Sequence, residues 1–159
     1  TAYEIVSRDW SSDVCSSDLH NLVVNVGLQY MAGVALTSTS QITSWYIGLY
    51  GAAASNTPAA SDTLALHGGW TEITPYSGSR PSATFAAATN ANPSVVTNSA
   101  SKASFSINAT ATVGGAFLCS ASSGTTGTLF SAADFQSPGD RSVVSGDVLT
   151  VTYTFSLSA

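Results

Sequence analysis

Charge is what this sequence has least of: Asp, Glu, Lys and Arg together make up 8% of its 159 residues, against about 25% in ordinary soluble domains. Lys and Arg number only four and form no basic cluster. That is too few to neutralise a run of phosphates, so no nucleic-acid partner is expected. No stretch approaches the roughly 18 consecutive apolar residues of a membrane span, and no membrane partner is expected either. A charged segment leading into an apolar run and a small-residue cleavage site is also missing, so no secretory signal is expected. Two cysteines, Cys15 and Cys119, cannot carry a disulfide framework. Cys119, in the apolar run "AFLC", reads as a buried free thiol.

Catalytic signatures are equally scarce. An active site needs a nucleophile, a base and an orienting group, and the histidines are His20 and His67 alone. There is no G-x-S-x-G elbow, no H-E-x-x-H pair and no phosphate-cradling glycine loop with its lysine. A triad of some serine with His67 and Asp62 is conceivable, since triad members need not be close in sequence. Serines are too numerous for that idea to be specific, and a histidine closing a helical turn beside Gly68 and Gly69 is ordinary capping. The sequence therefore assigns no catalytic residue, no cofactor and no metal ligand, and the chain reads as a non-enzyme.

Asp134, Asp140 and Asp147 lie near the loops around the last two strands, where carboxylates and carbonyls could hold a hard cation such as calcium. "PGD" and "SGD" are also turn sequences in which Asp bonds the local backbone, and that reading is preferred. "NAT" at Asn108 matches the N-glycosylation pattern but falls within a strand-like run and reads as a chance match.

What the chain has in abundance is Ser, Thr, Ala and Gly, so its solubility rests on hydroxyls. Residues 9–19, "DWSSDVCSSDL", have no period that a strand or helix could use. Back-translated, they resemble the short adapter ligated to fragments in sequencing libraries, and they are read as an assembly scar in an environmental sequence. A metal site here would need a ligand spacing that the stretch does not supply. Residues 1–19 are thus expected to be a non-native tail, with the natural N-terminus missing, and residues 20–159 a single domain. Setting aside Asp9, Asp13 and Asp18 moves the net charge from −5 to −2. The 140 residues that follow suffice for one core that buries about two-thirds of its unfolded-chain surface.

Val24, Leu28, Met31 and Ala35 form one stripe of a helix within "NLVVNVGLQYMAGVAL", predicting a short N-terminal helix over Asn21 to Leu36. "WYIGLY" predicts a strand with both faces at least half covered. Asp62 is expected to cap a single helical turn, "TLALH", and "WTEIT" to form the next strand. From Ala103 to Val113 apolar and hydroxyl residues alternate, which predicts one long strand bent near Asn108 to Ala111. "GAFLCS" and "TLFSA" read as a strand pair. The last element has Leu149, Val151, Tyr153, Phe155 and Leu157 on one face and Thr150, Thr152, Thr154 and Ser156 on the other. Roughly eight strands separated by Gly, Ser, Asn and Pro turns imply an all-β fold, an antiparallel sandwich or jelly-roll-like barrel. Trp45, Trp70, Tyr46, Tyr50 and Tyr76 could stack on a sugar or fill the core; exposure would separate the two.

The segment from Asn21 to Ala159 resembles the small structural proteins of tailed bacteriophages, tail-fibre-like or virion-decorating. The likeness rests on "NLVVNVGLQYM", "SWYIGLYG", "DTLALHGGWTEITPYSGSRPSATFAAAT", "ASFSINATATVGGAFLCS" and "RSVVSGDVLTVTYTFSLS" in that order. It implies an all-β virion component without enzymatic activity, a homo-oligomer whose partners are other capsid or tail proteins. A carbohydrate- or receptor-binding module of a phage fibre or bacterial adhesin, with a host glycan as partner, is the alternative.

Overall fold

The computed structural model describes residues 4–7, 22–52, 57–135 and 139–158. Its elements in chain order are β1 (Glu4–Ser7), β2 (Leu22–Val23), α1 (Asn25–Leu36), β3 (Tyr46–Gly51), β4 (Glu72–Ile73), β5 (Ser94–Thr97), β6 (Ala103–Ser106), β7 (Ala111–Cys119), β8 (Leu129–Asp134), β9 (Arg141–Val143) and β10 (Val148–Leu157). They form two antiparallel sheets. In the first, β10 carries β1 along one edge and β5 and β6, end to end, along the other. The second runs β2-β8-β7-β3-β4, with β9 also paired to β7. This is the all-β, sandwich-like architecture that the alternating pattern predicts.

The core lies between the sheets. Leu149, Val151 and Tyr153 of β10 and Ala103 and Phe105 of β6 face Ile47, Leu49, Val113, Ala116 and Leu118 of the second sheet, all buried. Thr150, Thr152 and Thr154 take the opposite face of β10 and stay half-buried. The second sheet is covered on its outer face too. There Tyr50, Phe117, Cys119, Leu129 and Ala132 pack under Val24, Leu64 and Trp70. Both faces of β3 are therefore closed, as "WYIGLY" predicts, and Gly48 leaves the room that the Phe117 ring takes: a Cβ there would lie 2.1 Å from Phe117 Cζ.

Three local expectations are corrected. The helix begins at Asn25, not Asn21, because Leu22 and Val23 pair with Ala132 and Ser131 of β8 first. Its inward face is centred on Gly27, Tyr30, Met31 and Val34, while Leu28 stands 47% exposed. Close approach causes the rotation, for a Cβ on Gly27 would meet the Phe130 carbonyl oxygen at 2.3 Å. Second, "TLALH" is not helical: Thr63 and Leu66 exchange both backbone hydrogen bonds, closing a tight turn. Third, the bend in the 103–113 run is a full change of sheet. β6 belongs to β10, and β7 crosses to the second sheet and continues without a break through "GAFLC".

The expectation that residues 1–19 stand apart from the domain falls mostly outside the described residues. Of that span the backbone of Glu4–Ser7 is described, and it runs antiparallel to β10.

Candidate functional site

Trp45 immediately precedes β3, where α1 and the two sheets open toward each other. Its ring meets Tyr30 of α1 edge-on at 5.5 Å and Phe130 of β8 edge-on at 5.4 Å. Phe130 in turn meets Phe155 of β10 at 5.7 Å. The Tyr30 hydroxyl accepts the Ile42 N–H at 2.7 Å, fixing the helix-to-strand connection. A cavity of about 600 Å³ opens here, with Tyr30, Met31, Trp45, Phe85 and Phe155 among its walls. Beside it a second cavity of about 580 Å³ combines Trp45 and Phe85 with Gln41, Thr43, Ser82 and Thr84. The Ser82 segment is held against β3 by Ile47 N–H to the Pro81 carbonyl at 3.0 Å and Ala83 N–H to the Trp45 carbonyl at 2.7 Å. Ring faces, hydroxyls and an amide thus converge on one surface.

The residues of the imagined triad have other work. Asp62 is buried, and its Oδ2 accepts the Trp70 indole N–H and the Ala59 backbone N–H, each at 2.9 Å. That inward use of the carboxylate is why it caps no helical turn. His67 stacks on the Trp70 ring with centroids 3.7 Å apart and 11° between planes. Its Nδ1 lies 3.0 Å from the Trp70 carbonyl oxygen; a carbonyl only accepts, so Nδ1 carries the proton and donates. Both side chains border a surface depression with Ser61 and Gly68. They are brought near each other by Trp70, whose indole N–H goes to Asp62 and whose carbonyl accepts from His67.

Two of the acids around the last strands, Asp134 and Asp147, bond to different groups, and Asp140 acts on Asp134 through its charge. Asp134 Oδ1 accepts the Tyr50 phenol at 2.7 Å. Burial pushes the Asp134 carboxyl above its usual range, and the Tyr50 bond offsets part of that rise. Burial, followed by the bond to Asp134, drives the Tyr50 phenol far up. Asp147 Oδ2 accepts the Val144 N–H at 2.9 Å while its own N–H goes to the Val144 carbonyl, which is the turn chemistry that "SGD" predicts. Among the described residues no three of His, Cys, Asp and Glu gather where a metal could sit. Asn108 is exposed at the corner between β6 and β7, not within a strand, and donates from Nδ2 to Ser77 Oγ at 3.3 Å.

Of the five aromatic residues considered for stacking, Trp70, Tyr50 and Tyr76 are buried core. Trp45 and Tyr46 are half-buried. Cys119 is a buried free thiol, and burial pushes its pKa up.

The sequence reading misses one buried charge cluster. Arg80, 4% exposed, grips both oxygens of Glu72 at 2.7 and 2.6 Å, donates to the Ala121 and Gly124 carbonyls, and lies over the Phe117 ring. Burial pulls the guanidinium pKa down, but the bond to Glu72, together with the charges of Glu72, Cys119 and Tyr76 in their ionised forms, more than offsets this and holds it above its usual value. In a chain with so few charges, an Arg and a Glu eight residues apart were the available signal. No family model matches this chain, and no curated protein or solved structure does.

Proposed function

We propose that this chain is a non-enzymatic structural component of a tailed-phage virion, tail-fibre-associated or capsid-decorating, which acts through protein–protein contacts as a homo-oligomer. The motifs from Asn21 to Ala159 that resemble such proteins support it. One structural observation carries the contact role: the outer face of β10 presents Thr150, Thr152 and Thr154, half-buried, where a solvated sheet would ordinarily show charges. Thr154 already meets Thr97 across the sheet, hydroxyl to hydroxyl at 3.1 Å. Such a face can meet another protein without desolvating ions. Leu36 and Leu66, 85% and 78% exposed, add apolar contact points. Mass spectrometry of particles assembled from the native gene set tests this reading: the polypeptide is expected among the virion proteins, and particles lacking it overturn the assignment.

A carbohydrate- or receptor-binding role is favoured by a different observation, the cavity beside Trp45. A pyranose has an apolar C–H face for the Trp45 and Phe85 rings and hydroxyls for Gln41, Thr43, Ser82 and Thr84, the mixture of groups that small-molecule sites use. Retention on a glycan array that disappears in Trp45→Ala supports this role. No retention by the unaltered protein excludes it for the glycans displayed.

A further inference from the structure

The main core does not close beneath the second half of α1. Gly27, the buried residue of that helix, brings its start against the Phe130 backbone of β8. One to two turns further on, Tyr30, Met31 and Val34 are only half-buried, and they line the cavity of about 600 Å³ together with buried Leu118, Phe130 and Tyr153. Among the described residues seven partly buried apolar side chains pack against this core, and five of them, Tyr30, Met31, Trp45, Phe85 and Phe155, are walls of that one cavity. Protein interiors leave few voids larger than a water molecule. A space of this volume, walled mostly by apolar and aromatic side chains, has the dimensions of a small-molecule site.

The phenol oxygens in these walls are tied to protein groups: the Tyr30 oxygen accepts the Ile42 N–H at 2.7 Å, and the Tyr153 hydroxyl lies 3.0 Å from Ser131 Oγ. What the chamber offers a guest is apolar contact, with the adaptable thioether of Met31 on one side. The adjoining cavity of about 580 Å³ has a different chemistry, because exposed Thr43, Ser44, Ser82 and Thr84 add hydroxyls to its walls. Gln41, Ile42, Trp45, Phe85 and Val96 are walls of both. An apolar chamber therefore continues into a hydroxyl-lined one. Among the described residues neither is walled by an Asp, Glu, Lys or Arg, so an ionic guest would lose hydration with no counter-charge in return.

We propose that the two chambers form one site for a neutral amphiphile, with an alkyl or acyl chain beneath α1 and an uncharged, hydroxyl-bearing head such as a sugar beside Trp45 and Ser82. Eight chain carbons, each about the size of a water molecule at roughly 30 Å³, take up about 240 Å³, which the apolar chamber holds. Each methylene moved there from water strengthens binding by a factor of about four. The inference rests on the carbohydrate reading above for the head and adds the chain, which a free sugar does not have.

Calorimetry and methyl NMR on the full chain test it, with methyl, hexyl and octyl β-D-glucoside as probes, each below its micelle-forming concentration. One octyl glucoside per chain is expected to bind, about tenfold or more tighter than hexyl glucoside because of its two further methylenes. Met31 is the only methionine of the sequence, so its methyl signal reports on the apolar chamber without any variant. That signal is expected to shift with octyl glucoside and to stay in place with methyl glucoside. Octyl sulfate, a chain of the same length on an anionic head, is expected to bind about tenfold or more weakly than octyl glucoside. Val34→Trp, which fills the chamber from the helix side, is expected to bring octyl glucoside down to the affinity of methyl glucoside. Equal affinities of hexyl and octyl glucoside, an unmoved Met31 methyl, octyl sulfate bound as tightly as octyl glucoside, or undiminished octyl glucoside binding by folded Val34→Trp overturns the inference. Methyl glucoside that still binds in the first case leaves the carbohydrate reading standing alone, whereas octyl glucoside that binds beside a blank glycan array leaves the chain site standing alone.

Discussion

Asp62 and Trp70, eight residues apart, are joined by an indole N–H to carboxylate hydrogen bond of 2.9 Å, with both side chains buried. Trp70 also packs on Tyr50 at 5.2 Å and on Phe117 at 5.0 Å, so this one bond pins the 57–70 segment over the outer face of the second sheet. Trp70→Phe keeps a ring and removes the donor. It is expected to cost about 1–3 kcal/mol, the range for leaving a buried acceptor short of a partner. Urea unfolding measures it, and a smaller loss in the Asp62→Asn, Trp70→Phe double variant is the expected sign that the two side chains are coupled.

Glu72 and Arg80 make the next prediction. Glu72→Gln leaves a guanidinium buried without its counter-charge, a change that typically costs about 3–5 kcal/mol. The Glu72 side chain is 24% exposed, which places the expected loss near about 3 kcal/mol once solvent screening is allowed for. Glu72→Gln combined with Arg80→Met is expected to be less damaging than Glu72→Gln alone, because no buried charge is then stranded. Thermal and denaturant midpoints of the three variants give the comparison.

Gly27 and Gly33 lie in the same helix and are expected to respond differently to alanine. Alanine is a better helix former by about 1 kcal/mol, yet at Gly27 its Cβ would meet the Phe130 backbone oxygen at 2.3 Å. Backbone cannot step aside, so Gly27→Ala is expected to be destabilising by about 1–2 kcal/mol after that gain is counted. At Gly33 the obstacle is the Thr39 side-chain oxygen at 2.6 Å, on an exposed residue. Gly33→Ala is expected to be close to neutral in the same unfolding measurement.

Alkaline stability follows from Tyr76 and Tyr50. Burial, followed by the charge of Glu72, pushes the Tyr76 phenol up to about 12, and the Tyr50 phenol is raised further. Both hold their protons more tightly folded than unfolded. Their contribution to stability is therefore fully present below the ordinary tyrosine value of 10.0 and is lost as pH rises through the folded values. The expected slope is about 1.4 kcal/mol per pH unit for each phenol kept neutral. Phenolate absorbance followed against pH is expected to show these two tyrosines titrating only as the protein unfolds; their ionisation with the fold intact contradicts the prediction.

Where neighbours in sequence share one environment, the chain is legible. The alternation of Leu149, Val151 and Tyr153 with Thr150, Thr152 and Thr154 predicts β10 and its faces, because a pleated strand half-covered by a core needs only period two. "WYIGLY" predicts a strand with both faces at least half covered, since Trp45, Ile47 and Leu49 alternate with Tyr46 and Tyr50. Cys119 reads correctly as buried because an apolar run leaves it no wet face.

Legibility ends where a residue's partner is remote. Nothing near Asp62 in sequence says that its carboxylate turns inward to Trp70 instead of capping a turn, and nothing near Gly27 announces the Phe130 carbonyl that sets the helix's rotation. The bend near Asn108 is visible as a break in strand length, but whether it bends one strand or passes the chain to another sheet depends on what waits on each side. The sorting of Trp45 from Trp70, one half-buried at a cavity and the other in the core, has the same origin.

The amino-acid sequence by itself determined the fold class, the strand faces and the shortage of charge, since these depend on local periodicity and composition. Only the tertiary structure decided the pairing of Arg80 with Glu72 and the anchoring of Asp62 and His67 on Trp70. Those depend on which distant backbone or side-chain group reaches a given atom, and hydrogen bonds and close contacts act over a few ångströms of space, not along the chain.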